Sequence, residues 1–346
     1  MVLVSPPGPY IEKFEALDFR CMLAPMKRRS LNPFRELALV AWLWRLIRRE
    51  QADVVHSFTI KCVVYGGLIA RFAGAASINS VAGMGYVFAR DMLKARVLRP
   101  VVRGLLRAAL RDKRARLILQ NPDDVRYFAR TGIVSRERIR LIRGTGVNCS
   151  NFVPPDDEQT TVKGPMKVLL AARLLWDKGV GEFVEAARVL QAEKRPVQFY
   201  LAGAPDPVNP TAVPEKTIWA WQAEGLVHWL GHVTDMPALL AGADIVVLPS
   251  YYGEGLPKIL LEAAACARPL ITTDMPGCRE AVTDGVNGLL VPAQDAMALA
   301  RAIACLQDDP ARARSLGQAA REKVLAEFDQ DIVSAQTLEV YDEIVV

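Results

Sequence analysis

The stretch Asp244-Ile-Val-Val-Leu-Pro249-Ser-Tyr-Tyr-Gly253-Glu254-Gly255-Leu256-Pro257 is a short apolar run that ends at a proline and passes through two glycines into a helical stretch near 257–266. Read outward, the same unit recurs. Upstream lie Val168-Leu-Leu-Ala-Ala172, a helix near 180–192, Gln198-Phe-Tyr-Leu-Ala-Gly203, His228-Trp-Leu-Gly231 and a helix near 236–241. Downstream come Pro269-Leu-Ile-Thr-Thr273, a helix near 278–283 and Gly288-Leu-Leu-Val291. Strands alternating with helices at this spacing predict an α/β fold with a parallel, doubly wound sheet, and ligands in such sheets sit at the carboxyl ends of the strands.

The first half reads similarly but less regularly. Strands are expected at 2–5, 20–23, 53–56, 77–81, 116–119 and 139–142, with helices near 9–17, 34–50, 63–73, 91–113 and 122–131. Residues 149–166 are polar and contain Pro154-Pro155, which marks a domain boundary. A chain of 346 residues suits two domains. We expect them at 1–152 and 164–328, with a terminal helix at 329–346 packing back on the first.

With 51% hydrophobic and 23% charged residues the composition is that of a folded globular protein. The six cysteines form no C-x-x-C pair and only three histidines are present, so a zinc cluster has little to build from and a reducing cytosol is the simpler setting. The amino terminus lacks the pattern of a secretory signal. The run from Leu37 to Trp44 falls short of the ~20 apolar residues that span a bilayer, so no membrane crossing is expected. The net charge of +5 divides unevenly: residues 1–150 hold 27 Lys/Arg against 11 Asp/Glu, and residues 151–346 hold 16 against 27. A basic first half favours an anionic partner.

Three features of the second half converge on a candidate site. Arg173 ends a strand and Lys178-Gly179 opens the next helix, so two cations and a helix amino terminus face one crevice, an arrangement suited to a diphosphate. Taken alone, the pair also fits surface cations near a turn. Glu254-Gly255-Leu256-Pro257 follows a strand, and Glu262 lies eight residues after Glu254. Two acceptor carboxylates suit sugar and ribose hydroxyls, although bare glutamates at this spacing are usually solvated helix charges. Gly203 and Gly231-His232-Val233 each close a strand and leave room for a flat base, or are ordinary strand-ending turns.

These motifs resemble retaining glycosyltransferases of family 4, which have the GT-B architecture of two Rossmann-like domains facing a cleft. The resemblance is carried by Glu254-x7-Glu262 with Arg173 and Lys178, by Pro276-Gly277-x-x-Glu280, by Asp284-Gly285-x-Asn287-Gly288, and by Gly144-Thr145-Gly146-Val147-Asn148, where Asn148 replaces a common Asp. It implies that Glu254 lies near the donor sugar, Glu262 binds the ribose, and Arg173 and Lys178 neutralise the diphosphate. Gly203, His232, Val233, Gly255, Leu256 and Pro257 then line the donor site. The implied donor is a nucleotide-diphosphate sugar, with uridine diphosphate expected. The implied reaction moves a hexosyl or N-acetylhexosaminyl unit with retention to a lipid-linked glycan in cell-surface polysaccharide synthesis. No cofactor or metal is expected, and Asp329-Gln330-Asp331 reads as a helix cap.

On the acceptor side, His56 is expected just past a strand, facing the cleft in a catalytic or positioning role, or else as a structural histidine. Lys61 is placed to meet an acceptor phosphate. Ser80-Val-Ala-Gly83-Met-Gly85-Tyr-Val-Phe88 resembles the glycine loop of capsule and O-antigen transferases, with Ala82 where some relatives have a histidine. Arg99, Arg103, Arg107 and Arg111 recur every four residues opposite Leu98, Val101, Val102, Leu105 and Leu106. With Met26-Lys-Arg-Arg29 and Arg48-Arg49, this stripe fits docking on the inner face of an anionic plasma membrane, or a packed helix with a solvated face. Nucleic acid is not expected, since few aromatics interleave with the arginines. Family members usually open with a strand, a glycine-rich turn and a helix ahead of the segment that Met1-Val-Leu-Val-Ser5 resembles. Two further classes therefore stay open: a sugar-nucleotide epimerase of the same fold, and a non-catalytic sugar-nucleotide-binding protein.

Overall fold

The computed structural model of the chain describes residues 1–8, 10–26, 32–83, 93–155, 164–253 and 255–345. Glu254, Lys27 to Arg29, Met84 to Phe88 and the 156–163 part of the polar segment lie outside them. In the first half the elements are β1 (Val2–Ser5), α1 (Ile11–Glu15), β2 (Arg20–Leu23), α2 (Pro33–Arg49), β3 (Val54–Phe58) and α3 (Ile60–Ala73). They continue through β4 (Ala76–Val81), α4 (Leu93–Ala109), β5 (Ala115–Leu119), α5 (Pro122–Arg130) and β6 (Ile139–Leu141). The second half contains β7 (Met166–Ala171), α6 (Val180–Ala192), β8 (Val197–Ala202), α7 (Glu215–Ala223), β9 (His228–Gly231), α8 (Met236–Ala241) and β10 (Ile245–Leu248). It ends with α9 (Lys258–Ala265), β11 (Leu270–Thr273), α10 (Cys278–Ala281), β12 (Leu289–Val291), α11 (Ala296–Asp308), α12 (Pro310–Glu327) and α13 (Gln330–Asp342).

Six parallel strands in the order β12-β11-β10-β7-β8-β9 form the second sheet. The buried parts of its central strands, residues 168–171 of β7 and 245–248 of β10, are apolar because both faces are covered. In β7, Val168 and Leu170 enter one core with Phe183, Phe199, Ile303 and Leu306, while Leu169 and Ala171 enter the other with Leu260, Val324 and Phe328. The period of two along the strand thus feeds two layers of helices.

The first half holds a four-stranded parallel sheet, β3-β4-β5-β6, and a separate parallel pair, β1-β2. Leu117 and Leu119 of β5 face Val63, Leu106 and Phe128 from the helices. Ile118 faces the other way, onto Val333, Val340 and Ile344. The last helix of the chain therefore closes the first sheet. It is anchored where Gln330 N–H donates to Val147 O at 3.0 Å, and Glu343 pairs with Arg116 and Arg140 at its far end. Asp329 caps it, its Oδ1 accepting the Asp331 N–H at 3.0 Å.

Candidate active site

The carboxyl ends of β7 and β8 are held together beyond the strands themselves. Ala172 N–H donates to Ala202 O at 3.0 Å, Leu174 N–H to Ala204 O at 3.0 Å, and Gly203 N–H to Gly231 O at 2.6 Å. Gly203 has φ +135, and a Cβ there would fall 1.8 Å from Ala172 O, so only glycine lets these strand ends meet. Arg173 follows β7 by two residues rather than ending it. Its guanidinium is more than half exposed and donates to Asp206 Oδ2 at 3.1 Å.

Lys178 closes a short 3-10 turn, Trp176–Lys178, and Gly179 with φ +76 then caps α6 without any side-chain acceptor. Gly179 is pressed against Pro249 at the end of β10, where a Cβ would fall 2.1 Å from the carbonyl oxygen. Helix α6 thus begins at Val180, where the sequence pattern places it. Ser250 extends the same joint, donating through Oγ to Asp177 O at 3.1 Å.

Arg173, Lys178, Gly255, Leu256 and Pro257 line one cavity of about 340 Å³ with Ala82, Gln120 and Thr145 of the first half. The two halves touch there. Leu256 N–H donates to Gln120 Oε1 at 3.3 Å, and a Cβ on Gly255 would fall 2.2 Å from both Ala82 O and Gln120 Oε1. Leu256 also sits over Gly144, whose φ of +75 carries the first half toward the junction.

Glu262 is not among the cavity-lining residues. It lies on α9 with its side chain 13% exposed, and Lys258 Nζ stands 3.6 Å away. Burial pushes its carboxyl above the ordinary range and Lys258 pulls it partly back. Gly203, His232 and Val233 are likewise outside the cavity lining. His232 is exposed, and Val233 packs against the core that contains Leu240 and Leu260. The Asp284-Gly285-x-Asn287-Gly288 segment is a closed turn in which buried Asn287 accepts from Thr283 N–H at 2.6 Å and donates to Ala281 O at 2.9 Å. Glu280 is engaged by Arg143, Nε to Oε2 3.3 Å, across the junction of the halves.

His56 requires a correction. It lies in the middle of β3 rather than past its end, and it does not line the cavity. Its Nδ1 is 2.8 Å from the Tyr341 hydroxyl and its Nε2 is 2.8 Å from Ser80 Oγ, so both ring nitrogens are engaged by the terminal helix and β4. The imidazole stacks on Phe58 with centroids 4.2 Å apart, and burial pushes its pKa down to about 4. Lys61 pairs with Glu36 at 2.9 Å, and Tyr65 donates to the same carboxylate at 2.7 Å. On α4, Arg103 donates to the Tyr127 hydroxyl and Arg107 to the Gly132 and Thr131 carbonyls, so these arginines help seat the helix on α5.

The sequence reading missed Gln120 and Asp206, and it named Thr145 only as part of the Gly144–Asn148 segment, without a place in the site. Gln120 had a usable signal, being a polar residue directly after an apolar strand. Asp206 had none, since nothing in its spacing connects it with Arg173.

Residues 165–309 match the family of group 1 glycosyl transferases, and residues 1–145 match the glycosyl transferase 4-like domain. The chain is 29% identical over 354 residues to the N,N'-diacetylbacillosaminyl-diphospho-undecaprenol alpha-1,3-N-acetylgalactosaminyltransferase of Campylobacter jejuni, covering 99% of this chain and 91% of that protein. Among solved structures, a glycosyltransferase from Rickettsia africae matches with a TM-score of 0.79 at 19% identity, over 99% of this chain and 90% of that one. Anabaena HepE in complex with UDP and glucose matches with a TM-score of 0.76 at 20% identity, over 99% and 91%. The structural likenesses carry the two-domain fold, and the sequence matches extend over both halves. The chain belongs to the family 4 glycosyltransferases of GT-B architecture.

Proposed function

We propose that this glycosyltransferase moves a hexosyl or N-acetylhexosaminyl unit from a uridine-diphosphate sugar, with retention of configuration, to a lipid-diphosphate-linked glycan in surface polysaccharide synthesis. The observation that carries this reading is the shared cavity, in which Arg173 and Lys178 meet the Gly255–Pro257 segment at the junction of the halves. Two cations at strand and turn ends suit the diphosphate, and charge developing on the leaving group is stabilised most where such groups are already in place. In this reading Glu262, mostly buried on α9 beyond the cavity lining, accepts from ribose hydroxyls, and Glu254 does so from the donor sugar, both roles resting on the family resemblance. No metal or further cofactor takes part in this reading, because the two cations supply the countercharge. The acceptor class rests on the Campylobacter relative, whose name specifies a diphospho-undecaprenol substrate.

The first half is read as the face that meets an anionic membrane on its inner side. Val101 and Leu105 of α4 and Phe34 and Leu37 of α2 are exposed apolar side chains on elements rich in arginine. Each basic residue near such a surface contributes on the order of 1 kcal/mol. No helix among the described residues is long and apolar enough to cross a membrane.

The test is incubation with a panel of nucleotide sugars and a short-chain polyprenyl-diphosphate-linked sugar, followed by mass spectrometry and proton NMR of the product anomer. Transfer with retention supports the reading. Free epimer without transfer, or an inverted linkage, would overturn it. Transfer that survived Arg173→Ala would remove the assigned donor site.

A further inference from the structure

Gln120 stands at the carboxyl end of β5 and is only 9% exposed. Its backbone is held from both sides. Leu117 and Leu119 are fully buried before it, and Asn121 after it is fully buried as the cap of α5, accepting Asp124 N–H at 2.8 Å and donating to Asp124 Oδ2 at 3.0 Å. The side chain therefore projects from a rigid base, as a group that must hold a precise position requires.

The orientation of the Gln120 amide follows from chemistry. Leu256 N–H can only donate, so the atom 3.3 Å from it is the amide oxygen. The amide nitrogen is then the remaining polar atom of a side chain that lines the cavity beside Arg173 and Lys178, and it donates to no described residue. That nitrogen is not among the buried side-chain atoms left without a partner, so it faces the open cavity, where water or a ligand oxygen accepts from it.

We infer that Gln120 is a donor-contacting residue with two functions: its oxygen holds the Gly255-Leu256 backbone against the first half, and its nitrogen donates to an oxygen of the nucleotide diphosphate. The inference rests on the donor-site reading of Arg173 and Lys178. It makes the first half a direct participant in donor recognition, through an uncharged side chain that the charge pattern does not single out.

Two substitutions separate the functions. Gln120→Glu keeps an acceptor for Leu256 N–H but replaces the amino group by a second acceptor, which repels a diphosphate when ionised. Gln120→Leu keeps the shape and removes both polar atoms. Binding is measured by titration calorimetry with UDP, GDP, ADP and dTDP, following the tightest of them at pH 8 and pH 5.5, always relative to wild type at the same pH. Both variants are expected to bind at least about tenfold more weakly at pH 8, the loss of one hydrogen bond to a charged group. At pH 5.5 a carboxyl of ordinary pKa, about 4.3, is still largely ionised, so the Glu variant regains at most a small part of its affinity there and the Leu variant regains none.

Wild-type affinity for the Glu variant at pH 8, with only the Leu variant impaired, would show that Gln120 merely holds the loop and would overturn the inference. Arg173→Ala is the control for the underlying reading. Should it bind as wild type, the donor site is misplaced, whatever the Gln120 variants do.

Discussion

His56 Nδ1 lies 2.8 Å from the Tyr341 hydroxyl, a contact between residues 285 apart in the chain. It fastens the terminal helix to the first sheet, beside the apolar contacts of Val333, Val340 and Ile344. Burial lowers the imidazole pKa to about 4, against about 6.5 in the unfolded chain. As pH falls through that window the unfolded state takes up a proton that the folded state does not, so stability falls with it. Discounted for the partial exposure of the ring, the loss is on the order of 2 kcal/mol between pH 6.5 and 4. We expect His56→Gln to remove that part of the pH dependence in urea denaturation. Parallel pH profiles for variant and wild type would refute the assignment.

Arg173 and Asp206 form an exposed pair, with side chains 59% and 22% accessible. Such pairs contribute only ~0–1 kcal/mol to stability. Asp206→Asn should therefore leave the melting temperature within a degree or two, while nucleoside-diphosphate binding tightens by about threefold because a carboxylate no longer competes for the guanidinium. The gain should shrink as salt is raised. Weaker binding in Asp206→Asn would instead mean that the carboxylate orients Arg173 for its ligand.

Much of the fold was legible because buried strands are short apolar runs closed by glycine or proline. The helices at 180–192 and 236–241 were placed at their observed bounds. Helix α7 was not anticipated, since Ile218, Trp219 and Trp221 in Glu-Lys-Thr-Ile-Trp-Ala-Trp-Gln-Ala give no single apolar face. Helices α11 and α12 were missed as well. Periodicity also could not tell which neighbour Arg103 and Arg107 would meet, and those partners come from α5 and the turn after it. Arg173, Lys178 and the Gly255–Pro257 segment line one cavity, and their nearness was legible because each lies in a loop or turn that follows a strand of the same sheet. His56 was misplaced because Asp53-Val-Val-His56 reads as a strand end, whereas the ladder to β4 continues to Phe58. A pairing register is a property of two strands, and one of them alone does not reveal it.

Gly255 leaves no room for a side chain, because a Cβ would meet Ala82 O and Gln120 Oε1 at 2.2 Å each. The first obstacle is backbone and cannot rotate away. Gly255→Ala should push the two halves apart at the cavity, with each sheet and its core intact. Misplacing reacting groups by about an ångström costs on the order of a hundredfold in rate. Steady-state transfer should fall by about that factor, with a drop in melting temperature of only a few degrees. Wild-type turnover in the variant would show that this contact does not set the reacting geometry.

Asp124 lies in the first turn of α5 and is 5% exposed. Burial raises its carboxyl to about 6, with the hydrogen bond from Asn121 acting against the shift and the charge of Asp123 adding to it. An unfolded aspartate titrates near 3.9, so between those values the folded state binds the proton more tightly and stability falls as pH rises. The shift corresponds to a loss on the order of 2–3 kcal/mol above pH 6. The favourable interaction of a carboxylate with the start of a helix, roughly 0.3–1 kcal/mol, is smaller. Asp124→Asn keeps an oxygen for the Asn121 amide and removes the charge. It should be more stable than wild type at pH 8 and nearly equal to it at pH 4, by denaturation in urea at both values. A variant less stable by the same amount at both would show that what matters here is the hydrogen-bond geometry of the carboxyl and not the desolvation of its charge.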